Sequence, residues 1–193
     1  MSSTARGYDR HASDYYITPI DKILEFLNEF NKKERVFHNQ SIMILDPSAG
    51  GDSNYPMSYP TALEQIGIHK DCIKTMDIRE DSLAEIKGDY LNTTLDYKPN
   101  VILTNPPFLF AREFIEKALN DVSNNGFVIM LQRLNFFGGK KRKDLWEKHM
   151  PKYTFVHSKR ISFTPDGKTD SIEYAHYVWQ KGHYPEFTQL KVI

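Results

Sequence analysis

Apolar residues fall at two spacings along the chain, and the alternation between these spacings predicts an α/β fold. Residues 19–31 and 110–122 have apolar positions three or four apart, which is the spacing of one helix face. Thr18 before Pro19 is typical of a helix start. Short continuous apolar runs have the length of buried strands. The predicted strands are residues 41–46, 72–78, 101–104, 127–131, 153–157 and 175–179.

Helices and strands alternate through residue 150, whereas the last two strands follow each other closely. This order predicts a doubly wound, mostly parallel sheet with a C-terminal antiparallel hairpin. We also expect a short helix over 61–66, a helical turn at 82–86, a helix over 139–149 and a loop over 52–60. A chain of 193 residues is the size of a single domain, 1–193, with no separate target-recognition domain. Its polar first 14 residues are predicted to be loosely attached.

The amino-acid composition indicates the cellular compartment of the protein more clearly than its function. Lys+Arg and Asp+Glu are both 25, so the formal net charge is zero and any basic surface is local. Cys72 is the one cysteine, which favours a reducing compartment, and we expect the cytoplasm of a bacterial or phage-infected cell. We expect no membrane span, because no apolar run approaches about 18 residues. The seven histidines are scattered, so no metal site is expected.

The most informative stretch is the predicted strand 101–104 followed by Asn105-Pro106-Pro107-Phe108. Two prolines remove two backbone donors and fix two φ angles, which ends the strand in a stiff loop. A planar group with an exocyclic amine could donate hydrogen bonds to the Asn105 oxygen and the Pro106 carbonyl while stacking on Phe108. The alternative interpretation is a turn that merely ends a strand.

Polar residues also follow other predicted strands: Asp46, Asp77 and, after a short break, Asp89. In a doubly wound sheet the ligand binds at the carboxyl ends of the strands, where Asp77 would accept the ribose hydroxyls of an adenosine. The segment 47–51 has small residues but neither a dinucleotide-binding glycine motif nor a phosphate loop. Each aspartate alone could simply cap a turn; together with Asn105 they predict a ligand site.

Five segments in this order resemble the motifs of S-adenosylmethionine-dependent amino-methyltransferases, in particular DNA N6-adenine methyltransferases. They are Tyr16-Ile17-Thr18-Pro19, Asp46–Gly51, Asp77, Gly88-Asp89-Tyr90 and Asn105–Phe108. The resemblance covers about residues 14–182 and implies the Rossmann-like methyltransferase fold with S-adenosylmethionine as cofactor. The small size is typical of an enzyme from a phage or mobile element.

The resemblance also implies roles for individual residues. Asn105 and Pro106, within the Asn105-Pro106-Pro107-Phe108 motif, would hold the target amine while Phe108 stacks on the flipped base. Asp77 would bind the ribose, Ile78 the adenine and Asp89, next to Tyr90, the adenine amine. The remaining cofactor residues would border the methionine part: Tyr16, Thr18, Pro19, Asp46, Pro47, Ser48, Ala49 and Gly50. The reaction would be direct methyl transfer by positioning, with no cysteine nucleophile.

DNA is the expected partner, RNA is possible, and the protein is expected to be a monomer or weak dimer. Phosphate contacts are predicted for a basic rim. Its members are Lys140, Lys141, Arg142, Lys143, Lys159, Arg160 and Lys168. Two alternatives stay open: a methyltransferase acting on ribosomal RNA or protein glutamine, and a non-catalytic module that binds nucleic acid or a protein. The second is motivated by the loop after Gly50, which lacks the family's usual next glycine.

Overall fold

The computed structural model describes residues 16–39, 41–163, 169 and 171–193, so the predicted loose segment 1–14 lies outside the described residues. The strands are β1 (Ile44–Asp46), β2 (Ile73–Asp77), β3 (Ile86–Lys87), β4 (Val101–Thr104), β5 (Phe127–Arg133), β6 (Tyr153–Val156), β7 (Tyr174–Gln180) and β8 (Gln189–Val192). The α-helices are α1 (Ile20–Glu34), α2 (Ser58–Gln65), α3 (Ala111–Asp121) and α4 (Lys143–Lys148).

All eight strands belong to one sheet, in the order β3-β2-β1-β4-β5-β7-β6-β8. The pairs from β3 through β5 are parallel, whereas β7 is antiparallel to both β5 and β6. The predicted fold class, a mostly parallel sheet with an antiparallel C-terminal part, is therefore confirmed. The sequence prediction missed β8, which adds to β6 in parallel and whose four residues are all exposed.

Two apolar clusters cover the two faces of the sheet. On one face, α1 and α2 pack against strand residues that include Val101 and Leu103. On the other face, α3 packs against Ile102 and its neighbours. Alternate residues of β4 thus enter different cores, which explains why the predicted strand is apolar without interruption. None of the helices in the described part of the chain has the length and apolarity needed to cross a membrane.

Several helix boundaries in the structure differ from the predicted ones. Helix α2 begins at Ser58, inside the predicted loop 52–60. Pro60 falls in the first turn of this helix, where a backbone N–H would have no helical partner, so the proline does not interrupt the helix. The predicted helical turn at 82–86 is wrong: the Glu85 N–H donates to the Thr75 hydroxyl (2.9 Å), which ties this segment to β2. The predicted helix 139–149 is divided into a 3-10 turn, Lys140–Arg142, and α4.

Candidate active site

A cleft opens at the carboxyl edge of the sheet, where β1, β2 and β4 end. Its lining brings together four segments that are far apart in the sequence: 16–18, 48–59, 77–79 and 105–107. Predicted residues in the lining are Tyr16, Thr18, Ser48, Ala49, Asp77, Ile78, Asn105 and Pro107. Sequence reasoning assigned no individual role to four further lining residues, Gly51, Ser58, Tyr59 and Arg79. Pro19, Asp46, Pro47, Gly50, Pro106 and Phe108 are absent from the described lining.

Asp77 holds the glycine loop after β1. One carboxylate oxygen accepts a hydrogen bond from the Gly50 N–H and the other from the Arg79 N–H, each at 2.8 Å. Gly50 and Gly51 have φ angles of 64° and 71°, a region that favours glycine. A Cβ on Gly51 would lie 2.8 Å from the Met57 Cγ, so the loop is closely packed. A carboxylate has about four lone-pair sites, so Asp77 can still accept from a ligand hydroxyl.

Asp46 is completely buried at the end of β1. Its Oδ1 accepts hydrogen bonds from the Thr104 hydroxyl (2.6 Å) and the Ser48 N–H (3.1 Å), while its Oδ2 is buried without a hydrogen-bond partner. Burial raises the pKa of the Asp46 carboxyl to about 7, against the lowering effect of these two hydrogen bonds. The side chain therefore links β1, β4 and the loop beside the cleft.

Asn105 is oriented by Thr18, a residue 87 positions earlier in the chain. The Asn105 amide nitrogen donates to the Thr18 hydroxyl at 3.0 Å. Asn105 Oδ1 is buried and has no hydrogen-bond partner in the described structure. Thr18 does not cap α1 with its side chain, because the helix begins at Ile20 after Pro19. The predicted cap residue thus positions the amide and leaves its acceptor oxygen available to a ligand.

Phe108 lies half-buried in a small aromatic cluster. Its ring centroid is 6.0 Å from that of Tyr16 and 5.9 Å from that of Tyr174. The Arg133 guanidinium lies over the Phe108 ring, 4.8 Å from its centroid. Sequence reasoning missed Arg133, although it is the first charged residue after the predicted strand 127–131.

Asp89 and Tyr90 lie outside the described lining of the cleft. Asp89 caps a 3-10 turn by accepting a hydrogen bond from the Leu91 N–H (3.0 Å). The buried Tyr90 ring packs on Phe114, with centroids 5.3 Å apart, and its hydroxyl donates to Asp121 at 3.0 Å. Tyr90 therefore contributes to the core, and the predicted cofactor contacts of this pair stay predictions.

The side chains of the predicted basic rim differ in their exposure and in their contacts. Lys140, Lys141 and Lys143 are exposed. Arg142 instead folds back: its Nε donates to the Phe136 carbonyl (2.8 Å), and its guanidinium lies 4.8 Å from the Phe136 ring centroid. Lys159 and Arg160 are exposed, and Arg160 pairs with Glu173, whereas Lys168 lies outside the described residues.

A buried hydrogen-bonded chain connects the cleft to the surface. The Tyr59 hydroxyl lies 3.0 Å from His176 Nε2, His176 Nδ1 lies 2.9 Å from His157 Nε2, and His157 Nδ1 lies 3.1 Å from the Glu25 carboxylate. Because an ionised carboxylate only accepts, His157 Nδ1 must donate, and with neutral rings the donors then run from Tyr59 toward Glu25. Burial lowers the pKa of both histidines, which favours these neutral rings. The wide sequence separation of the four residues hid this network.

By sequence, the chain matches no protein-family model and none of the curated proteins. By structure, it is similar to a putative class I S-adenosylmethionine-dependent methyltransferase from Listeria monocytogenes (TM-score 0.64, 14% identity, 92% of this chain and 65% of that chain). It is also similar to a putative RNA methyltransferase from Pyrococcus horikoshii (0.62, 14%, 93% and 94%). A third similar structure is a modification subunit of a putative type I restriction enzyme from Vibrio vulnificus (0.59, 14%, 93% and 47%).

The chain has the Rossmann-like fold of class I S-adenosylmethionine-dependent methyltransferases. It spans 65% of the length of the Listeria protein and about half of the Vibrio subunit. Within the described residues, no group of three or more His, Cys, Asp or Glu side chains is arranged to hold a metal ion.

Proposed function

We propose that this protein transfers the methyl group of S-adenosylmethionine to the N6 amino group of adenine in DNA. One observation carries the proposal: Asn105 Oδ1 is a buried hydrogen-bond acceptor without a partner, held at the cleft by Thr18. A buried acceptor that is left unpaired costs about 1–3 kcal/mol. An amine donor from a substrate would recover that cost.

The cleft fits the proposed cofactor. Its lining combines polar groups with apolar side chains, as small-molecule sites do. Asp77 has lone pairs available for the ribose hydroxyls, and Ile78, which is 59% exposed, offers an apolar surface to the adenine. Tyr16, Thr18 and the segment 46–50 would surround the amino-acid end. When bound, the cofactor supplies an electrophilic methyl group on a positively charged sulfur.

The protein's own residues then act by positioning. Asn105 Oδ1 and the Pro106 carbonyl would accept both hydrogens of the target amine, drawing the nitrogen toward tetrahedral geometry and aiming its lone pair at the methyl group. The base must leave the duplex to reach this cleft, and Phe108 would stack on it. Arg133 already covers part of the Phe108 ring, so its guanidinium must share or yield that surface when the base enters.

The test is transfer of a labelled methyl group from S-adenosylmethionine to a panel of duplex DNA, single-stranded DNA, RNA and protein, with mass spectrometry of the digested products. We expect N6-methyladenine in DNA. Asn105→Ala should lower the rate on the order of 100-fold, because the amine loses its alignment. Cofactor binding, measured by calorimetry, should persist in that variant. The matched control is Asn120→Ala, which changes an exposed asparagine on α3.

RNA is the second candidate substrate, because one of the similar structures is described as a putative RNA methyltransferase. The chain covers 94% of that Pyrococcus protein and 47% of the Vibrio modification subunit of a putative type I restriction enzyme. Methyl label in RNA alone, or on protein glutamine alone, would refute DNA as the substrate. No cofactor binding at millimolar concentration would refute methyl transfer by the isolated chain and favour a non-catalytic module that binds nucleic acid or a protein.

A further inference from the structure

Two apolar side chains project into solvent directly after the Asn105–Phe108 motif. Leu109 is 80% exposed and Phe110 is 45% exposed, and Leu109 is the most exposed large apolar side chain in the described structure. Their backbone is a 3-10 turn, Phe108–Phe110, in which the Phe110 N–H donates to the Pro107 carbonyl at 3.0 Å. We call Leu109 and Phe110 the apolar tip; the two prolines and this turn fix its position relative to Asn105.

Three exposed lysines belong to a segment that a hydrogen bond joins to the first turn of α3, and α3 begins directly after the apolar tip. Lys140, Lys141 and Lys143 form what we call the lysine rim. Arg112, in the first turn of α3, fastens this rim: its Nη1 donates to the Lys141 carbonyl (3.1 Å) and to the Asp144 carboxylate (2.9 Å). The backbone of the rim is therefore within reach of one arginine side chain from the first turn of α3, and α3 begins directly after the tip.

Contacts with aromatic residues also hold the segment of the lysine rim in place. Arg142 donates to the Phe136 carbonyl at 2.8 Å, and the Trp146 indole donates to the Phe137 carbonyl at 3.0 Å. Phe137 in turn packs against Tyr177 of β7, with ring centroids 4.7 Å apart. The neighbouring lysines are thus presented on a fixed backbone.

The charge at this surface favours a polyanion. Arg112 pairs with Glu116 and Asp144, and Lys143 pairs with Glu147 at 3.3 Å on the surface. Lys140 and Lys141 form no ion pair with any described residue. Glu113 is the remaining exposed acid on the first turn of α3. An anionic partner would therefore contact Lys140 and Lys141 first.

We infer that the apolar tip and the lysine rim together dock duplex DNA, with Leu109 entering the base stack beside the flipped base. This inference rests on the proposed function and names the surface that positions its substrate. Leu109 is four residues after Asn105, so at most about 14 Å of chain separates them. Apolar wedges compensate for unstacking by filling the gap that an extruded base leaves, while Lys140 and Lys141 neutralise phosphates.

The test measures binding of fluorescent duplexes by anisotropy over a range of salt concentrations, with no cofactor present. One duplex is intact and the other has an abasic site opposite thymine. Because the abasic duplex already contains a gap, the wild type should bind it about tenfold more tightly. Leu109→Ala should lose that preference without changing the salt dependence. The double variant Lys140→Gln/Lys141→Gln should keep the preference and reduce the slope of log K against log salt by about 2.

Matched controls are Leu190→Ala, an exposed leucine on β8, and Lys33→Gln at the end of α1. Both should behave like the wild type. Binding of neither duplex by the wild type would overturn the inference and indicate that the apolar tip contacts a protein partner. Binding of RNA alone would also overturn it. It is equally overturned if Leu109→Ala keeps the abasic preference. DNA binding with the expected variant effects but without methyl transfer would refute the proposed reaction, whereas the inference that this surface docks DNA would still hold.

Discussion

The buried Asp46 carboxyl should make folding stability depend on pH in a way that one substitution removes. Its pKa is raised to about 7 in the folded protein, from an ordinary value of 3.8, chiefly by burial. A group with a raised folded pKa stabilises the protein at low pH, and this contribution is lost as pH rises through the folded pKa. Asp46→Asn keeps the size of the side chain and eliminates the titration.

The size of the effect follows from the two pKa values. Between about pH 7.5 and 5.5 the folded carboxyl takes up most of a proton, whereas the unfolded carboxyl stays ionised. Linkage converts this difference to about 2 kcal/mol of added wild-type stability at the lower pH. The free energy of unfolding of Asp46→Asn minus that of the wild type should therefore be about 2 kcal/mol lower at pH 5.5 than at pH 7.5.

Urea unfolding of both proteins at several pH values, followed by circular dichroism, measures this difference. Comparing the two proteins at each pH cancels the titration of all other groups that the substitution leaves unchanged. The control is Glu64→Gln, an exposed position on α2, whose difference from the wild type should not vary with pH in this way. A difference between Asp46→Asn and wild type that stays constant across the range would refute the assignment of a raised pKa to Asp46.

Two further predictions concern the same part of the molecule. In the variant just described, stability should fall as pH drops from 7.5 to 5.5 in the same urea assay, because burial lowers the folded pKa values of His157 and His176 below the ordinary 6.5; a flat profile would show that they protonate freely in the fold. Gly51→Ala should destabilise by about 1–2 kcal/mol more than Gly67→Ala. Both glycines have positive φ, but a Cβ at Gly51 meets Met57 whereas one at Gly67 meets no atom within 4 Å; equal melting temperatures would contradict this.

Local patterns were enough to predict the central elements of the fold. The uninterrupted apolar strand Val101–Thr104, the amphipathic helix Ala111–Asp121 and the stiff Asn-Pro-Pro-Phe loop each depend on neighbouring residues, and their periodicity or proline content is visible in the sequence. The end of the sheet was harder to predict. Strand β8 is exposed on both faces, so it has no buried side to produce a recognisable apolar pattern.

The sequence by itself determined that aspartates and Asn105 would follow strands of a mostly parallel sheet, because the alternation of apolar periods sets that order. Only the tertiary structure decided what each polar group does. It joined Thr18 to Asn105 across 87 residues, sent the Tyr90 ring into the core, and linked Tyr59 to Glu25 through two histidines. Such pairings arise when distant segments are buried together, since a buried polar atom must find whatever partner the packing brings within reach.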